Sequence, residues 1–464
     1  MDRHPGGHQH RSGDRHAADH RGPPADDLLR GHLAGADDGG DRHPPVDRTA
    51  WPPTRDGRAL SIVDDAVPRR GSSAPASPVR SLRVVIAGGG TGGHIFPAIA
   101  LAKALTKRPE GEQGEAAEAA EVRIVGRQGG PEESTVRAQG IAFEGIDVLG
   151  FRRSVSPRNL LAAARGAAAT VRALRILRRA RADVAVGTGG YVSIPVATAA
   201  AMLRIPLVLH EANAIPGVAN RLAGRWAVAV AVSFPGMQRW FRAPVTLVGN
   251  PIRPELAGLD RLHRSANRSE AHAHFGLEAG RRTLLVFGGS QGARRINEAV
   301  LGAYERWRGD GHLQVIHLVG AKELPAAEAR LQDLRLPEDR VLWRLVGSTD
   351  RMDLAYSAAD LAVCRAGGAT LFEIASASLP AVVVPYPYAT ADHQRANAQP
   401  LVESEAVVLL LDADCTPESV GELVDDLLFD ESRLERMSAS IHEFARPRAA
   451  EALADLVRGV AARR

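Results

Sequence analysis

Two apolar runs break into glycine-rich turns, LRVVIAGGGTGGH at 82–94 and TLLVFGGSQGA at 283–293, and each turn leads into a helical pattern. Strand, tight turn, helix is the opening of a βαβ unit, and this chain contains it twice. Between and after the two openings, short continuous apolar runs alternate with helix-length segments. The first series is 82–88, 122–126, 141–148, 182–189, 205–211 and 228–234; the second is 283–289, 314–320, 340–346, 359–367, 380–386 and 406–411. Continuous rather than alternating runs suit parallel strands buried on both faces. The pattern pauses near VTLVGNP at 245–251, passes through a polar stretch from Asp260 to His274, and then restarts. The expected fold class is therefore α/β, with two doubly wound domains joined near Val248.

Composition marks off the first 80 residues. They hold twelve Arg, twelve Asp, ten Gly, ten Pro and seven of the sixteen His, with no Lys or Glu. Such a segment buries too little apolar surface to offset its ordering entropy, so a disordered extension is expected. Its histidines are scattered among Arg and Asp, and it lacks the apolar core of a secretory signal. The expected divisions are 1–80 as extension, 81–247 and 248–445 as the two domains, and 446–464 as a closing helical segment. The net charge of +4 admits an anionic partner, and nothing points to a nucleic acid. Two cysteines, Cys364 and Cys415, form no disulfide framework or metal spacing and fit a reducing cytoplasm. The most apolar stretch, 194–209, is broken by Pro195, Arg204 and Pro206, short of the roughly 18 residues a membrane span needs.

Gly88, Gly90 and Gly93 satisfy G-x-G-x-x-G between a strand and a helix, where main-chain N–H groups suit an anion. A nicotinamide enzyme should also carry an acid at the end of its second strand, and here that strand ends in Gly126 and Arg127. His94, at the helix start, is disfavoured as a cation and is left as a neutral base. The second turn, 288–293, lacks the Lys-Ser or Lys-Thr of an ATPase phosphate loop, yet Ser290 and main-chain N–H groups could hold a pyrophosphate.

Seven segments, 88–105, 186–200, 209–222, 248–253, 288–297, 364–375 and 379–398, resemble in order and spacing the MurG family of peptidoglycan glycosyltransferases. The resemblance covers roughly 82–460 and implies a glycosyltransferase B fold, two Rossmann-like domains facing a cleft, with the closing helix at 446–464 crossing back to the first. It implies an inverting hexosyltransferase that moves N-acetylglucosamine from UDP-N-acetylglucosamine to the 4-hydroxyl of undecaprenyl-pyrophosphoryl-N-acetylmuramoyl-pentapeptide, converting lipid I to lipid II. That places the chain in cell-wall synthesis, cell shape and division, peripheral on the cytoplasmic face of the membrane, alongside other cell-wall synthesis proteins.

Carried over residue by residue, the resemblance implies that Glu373 accepts both ribose hydroxyls. The helix start at Gly368, Ala369, Thr370, Leu371 and Phe372 would lie beside the diphosphate, with Ser290 on its oxygens. Arg253 would neutralise departing UDP, Gln394 and Asn397 would grip the sugar hydroxyls, and Asn213 with Thr91, Gly92 and Gly93 would complete the donor site. Thr349 stands at the uracil loop where the family is usually apolar, beside Gly347 and Ser348 in place of larger residues. Ala366 and Gly368 are further small replacements. His94 is the first candidate for the base and Glu211 the second; Glu211 could instead orient the acceptor, pair with His94 or be a buried structural carboxylate at a strand end. No bound metal is required; Asp412-Ala413-Asp414 matches a metal-binding D-x-D but reads better as a loop capping the helix at Pro417.

The segment 158–183 carries Arg158, Arg165, Arg172, Arg175, Arg178, Arg179 and Arg181 along an apolar helix, which suits anionic headgroups of the inner leaflet as well as packing on a sheet. Two other classes compete: a UDP-sugar epimerase or hydrolase of the same fold, and a nicotinamide-dependent oxidoreductase.

Overall fold

The apolar runs become interior strands of two wholly parallel sheets. The computed structural model describes residues 81–107, 119–148, 157–289 and 292–463, with the backbone alone described over 157–163. The expected extension over 1–80 and the expected phosphate ligand Ser290 lie outside the described residues.

The first sheet contains β1 (Arg83–Gly88), β2 (Glu121–Arg127), β3 (Ala142–Ile146), β4 (Val184–Gly189), β5 (Leu207–Glu211), β6 (Ala227–Val232) and β7 (Val245–Leu247). Their order is β3-β2-β1-β4-β5-β6-β7, with Ile86 level with Ile124 on one side and Val186 on the other. The second contains β8 (Arg282–Phe287), β9 (Leu313–Leu318), β10 (Leu342–Val346), β11 (Leu361–Cys364), β12 (Ala381–Val383) and β13 (Val407–Leu409), in the order β10-β9-β8-β11-β12-β13. This is the expected pair of doubly wound sheets.

Helices on both faces explain why the strands do not alternate. Val84 and Ile86 pack with Ile95 and Leu101 of the helix Gly92–Thr106, while Val85 and Ala87 pack with Ala173, Ile176 and Leu177 of the helix Pro157–Ala180. Every position along β1 beyond Arg83 is buried, so a polar residue there would meet apolar side chains on either face. The polar pause at 260–274 is a helix, Arg261–Phe275. Asp260 caps its start by accepting the His263 N–H at 2.9 Å, Gly276 ends it at φ +62°, and only Ala271 and Phe275 are buried.

Both sheets reverse direction at a glycine turn. In the first, β1 lies between β2 and β4, so the turns after β1 and β4 meet; in the second, β8 lies between β9 and β11, bringing together the turns after β8 and β11. Ligands of doubly wound sheets bind at such switch points. The chain crosses between the halves near Val248 and returns through the helix Ala449–Ala462, whose Leu453, Ala454 and Val457 pack with Ile95, Ala98 and Leu101. The crossings touch: Gly249 has φ +86°, and a Cβ there would lie 2.5 Å from that of Arg446. Among the described residues no helix is long and apolar enough to cross a membrane.

Candidate active site

The turn after β1 is shaped around a histidine. Gly90 takes φ +89°, Thr91 is extended at the helix N-cap, and His94 falls in the first helical turn. Its Nδ1 lies 3.0 Å from the Thr188 carbonyl oxygen at the end of β4, and the Thr188 hydroxyl donates back to the His94 carbonyl at 2.8 Å. A carbonyl can only accept, so Nδ1 carries the proton and Nε2 is the basic nitrogen. Gly189, at φ +106°, leaves room for the ring, because a Cβ there would come within 2.6 Å of Nδ1. Burial lowers the proton affinity of the imidazole, the Thr188 bond works against that, and the nearby His393 adds to the lowering. The result is a neutral base locked in one tautomer.

Glu211 ends β5 and is 1% exposed. Its Oε1 accepts from the Asn213 N–H and side-chain amide at 3.0 and 3.1 Å; its Oε2 accepts from the Gly217 N–H and the Asn220 amide at 3.0 and 2.9 Å. Burial raises its proton affinity while these four donors oppose the rise. With both oxygens engaged, the carboxylate organises the 211–220 loop.

That loop touches the other half. The Ala214 N–H donates to Asn397 Oδ1 at 2.8 Å, and Asn397 Nδ2 donates to Asn213 Oδ1 at 3.1 Å and to the Ala366 carbonyl at 3.3 Å. Gly368 is pressed so closely on the Ala212 carbonyl that a Cβ would collide with it. Asn397 is fully buried here, its amide bridging the two halves. Gln394, on the same helix His393–Glu403, is half-buried and accepts the Tyr386 N–H at 2.8 Å. Ala391 and Asp392, just before them, both take left-handed conformations, φ +54° and +52°.

Glu373 lies in the helix Gly368–Ser376, 7% exposed. Its Oε2 accepts the Tyr356 hydroxyl at 2.8 Å and its Oε1 the Arg253 guanidinium at 3.3 Å, and Arg253 in turn stacks over Phe96 of the first half, 5.0 Å from the ring centre. Burial and then the Glu373 charge push the Tyr356 phenol well up, so it stays a donor. Leu371 and Phe372 are core residues, Phe372 meeting Phe234 edge-on at 5.4 Å, so only their main chain is available to a ligand. Gly368, Ala369 and Thr370 form the first turn of that helix; Gly368 is buried against the other half, and Ala369 and Thr370 are half-buried. Thr349 precedes the helix Met352–Ala358 that carries Tyr356, and its hydroxyl accepts the Arg351 N–H at 3.0 Å. In the turn after β8, Gly289 and Gly292 take φ +83° and +75°, and a Cβ on Gly292 would meet the Val319 carbonyl at 2.5 Å.

The structure thus joins His94 to the β4 turn, Asn213 to Asn397 and Arg253 to Glu373. Thr349 and Gln394 bond elsewhere, to the Arg351 and Tyr386 N–H groups. Sequence reasoning passed over Thr188, Tyr356 and Phe96; Thr188 and Phe96 stand inside the resembling segments 186–200 and 88–105, while Tyr356 carries no local signal. The D-x-D is a short 3-10 turn, Asp412–Asp414, in which Asp412 pairs with Arg365 at 2.5 Å. The next helix is capped by Thr416 and Ser419, with the Asp414 carbonyl accepting from Ser419. Among the described residues no group of three His, Cys, Asp or Glu is arranged to hold a metal.

Residues 84–232 match the model of the glycosyltransferase family 28 N-terminal domain, and 283–453 that of the C-terminal domain. The chain is 42% identical over 383 residues to a UDP-N-acetylglucosamine–N-acetylmuramyl-(pentapeptide) pyrophosphoryl-undecaprenol N-acetylglucosamine transferase of Acidothermus cellulolyticus, covering 82% of this chain and 99% of that one. It is 36% identical over 388 residues to the protein of the same name from Halothermothrix orenii, with the same coverage. The crystal structure of Acinetobacter baumannii MurG superposes with a TM-score of 0.62 at 29% identity, covering 82% of this chain and all of that one. A UDP-GlcNAc 2-epimerase from Neisseria meningitidis superposes at 0.57 with 13% identity, a likeness of fold alone. The chain therefore belongs to glycosyltransferase family 28, among relatives named as UDP-N-acetylglucosamine transferases acting on a lipid-linked muramyl pentapeptide.

Proposed function

We propose that this protein is an inverting glycosyltransferase that moves N-acetylglucosamine from UDP-N-acetylglucosamine to the 4-hydroxyl of undecaprenyl-pyrophosphoryl-N-acetylmuramoyl-pentapeptide. The observation that carries the reading is similarity running through 99% of relatives named for that reaction. The geometry supplies the chemistry. The acceptor hydroxyl attacks the anomeric carbon, its proton passes to His94 Nε2, and the bond to the UDP oxygen breaks with its electrons leaving on UDP. Arg253 and the helix starts after β8 and β11 meet the charge that develops on the diphosphate. Glu373, aimed by Arg253 and Tyr356, accepts the ribose hydroxyls. Asn397 and Gln394 bind the sugar once Asn397 exchanges its contacts with Asn213 and Ala214 for the sugar hydroxyls. No step calls for a metal.

The lipid acceptor places the protein at the inner face of the cell membrane. On the helix Pro157–Ala180 and the residue just beyond it, Ala169, Ala173, Ile176 and Leu177 are buried against the sheet while Arg172, Arg175, Arg178, Arg179 and Arg181 are exposed. Each such charge is worth about 1 kcal/mol near an anionic surface. This arrangement supports peripheral binding, near other enzymes of wall synthesis.

The test is UDP release with and without a soluble lipid I analogue. Release that depends on the acceptor supports transfer. Release that ignores it supports the epimerase or hydrolase reading of the same fold.

A further inference from the structure

A second histidine, built like His94, stands on the other half. His393 opens the helix His393–Glu403, and its Nδ1 lies 2.9 Å from the Thr390 carbonyl oxygen. As at His94, the carbonyl can only accept, so Nδ1 carries the proton and Nε2 is the basic nitrogen. Four residues on, along the same helix face, Asn397 accepts the Ala214 N–H and donates to the Asn213 side chain of the first half. The face that carries His393 is therefore the one turned across the cleft. The two residues before it, Ala391 and Asp392, are left-handed without being glycine, a strain that chains hold where a side chain has to be aimed.

His94 has to give up each proton it takes. Its Nδ1 is closed by the Thr188 carbonyl, so a proton accepted at Nε2 leaves from Nε2, into the cleft. Of the titratable and charged groups around it, Glu132 is buried with Oε1 on the N–H groups of Gly90 and Arg127, and His210 is buried with Nε2 on the Gly249 carbonyl. Arg253, stacked over Phe96, stays charged and accepts nothing. His393 is half-buried, open to water, and near enough to His94 for its charge to disfavour the imidazolium there.

We propose that His393 is the proton relay of the reaction, carrying the acceptor's proton from His94 out to water. The acceptor O–H bond breaks as its oxygen bonds the anomeric carbon. The proton passes to His94 Nε2, then to His393 Nε2 and then to bulk water, while the electrons of the broken sugar–phosphate bond leave on UDP. Both histidines end neutral, and no further reactant is consumed. Because the relay spans both walls of the cleft, the base is reset with the halves together. The inference rests on the reading of the protein as a transferase with His94 as its base.

The experiment measures UDP release by the full chain with a soluble lipid I analogue. His393→Ala should lower kcat about tenfold or more while the KM for UDP-N-acetylglucosamine stays within about twofold. Added imidazole should restore kcat in the variant and leave the wild type unchanged. His393→Gln keeps a polar group at the helix start but cannot carry a proton, so it should lose as much, and it decides the matter should the Ala variant not fold. A folded variant with wild-type kcat, a loss confined to KM, or an Ala variant deaf to imidazole would overturn the proposal. Wild-type kcat in His94→Ala, or wild-type UDP release that ignores the acceptor, would remove the underlying reading and the relay with it.

Discussion

Arg253 and Glu373 stand 120 residues apart in the chain yet form an ion pair, with Nη2 3.3 Å from Oε1 and side chains 15% and 8% exposed. The pair links the crossing between the halves to the helix after β11, and Phe96 beneath the guanidinium extends the link to the first half. A carboxylate so held is oriented before any ribose arrives. Removing one partner leaves the other charge buried and unpaired.

Glu373→Gln should therefore weaken donor binding by about 2 kcal/mol or more, roughly thirtyfold in KM for UDP-N-acetylglucosamine, with a smaller change in kcat. Steady-state kinetics at saturating acceptor checks this. An unchanged KM would remove Glu373 from the donor site.

Asn213→Ala and Asn397→Ala should each lower thermal stability, and their double-mutant cycle should show a coupling of about 0.5–3 kcal/mol, because the side chains share a hydrogen bond across the halves. Thermal melts of the four proteins measure it. Additive losses would mean that the bridge contributes nothing of its own.

Two further histidines make stability depend on pH. His210 is held down at about 4 and His317 at about 3, both by burial, and both are fully buried. The unfolded chain binds their protons near pH 6.5, so their contribution is complete above that value and is lost as pH falls through 6.5 toward 4. By pH 5 each should have cost roughly 2 kcal/mol of unfolding free energy. Denaturant unfolding between pH 7.5 and 5 tests the sign and size, and replacing His317 with Gln should flatten the slope.

The family models match residues 84–232 and 283–453, so deleting residues 1–80 should leave acceptor-dependent UDP release within a few-fold of the full chain. A large loss in a folded truncation would give that segment a role in the reaction.

His94→Ala should lower kcat by about 10²–10⁴ with UDP affinity unchanged, and should abolish the acid limb of the pH–rate profile. Because burial lowers the His94 proton affinity, that limb should lie below the ordinary histidine range in the wild type. Glu211→Gln should keep the limb while losing activity through its loop. The opposite pattern would make Glu211 the base.

Local order was legible in the sequence where one residue type has one physical use. Continuous runs such as 82–88 and 283–289 read as buried parallel strands, and the glycines after them as turns, because few other structures tolerate either. The polar 260–274 stretch read as a pause because its helix buries only Ala271 and Phe275, too few to set a period. Tyr356 on Glu373 and Phe96 under Arg253 are contacts across sequence separations that no local pattern records. The Asn397 amide shows the same limit: its family resemblance points to a sugar ligand, while the structure engages it with Asn213, Ala214 and Ala366.

The central claim is transfer with inversion at the anomeric carbon. UDP-N-acetylglucosamine carries an α linkage, so incubation with a soluble lipid I analogue should yield a β-1,4-linked disaccharide and one UDP per product, read by NMR coupling at the new anomeric proton. An α-linked product, or UDP released with a free or epimerised sugar and no disaccharide, would contradict it.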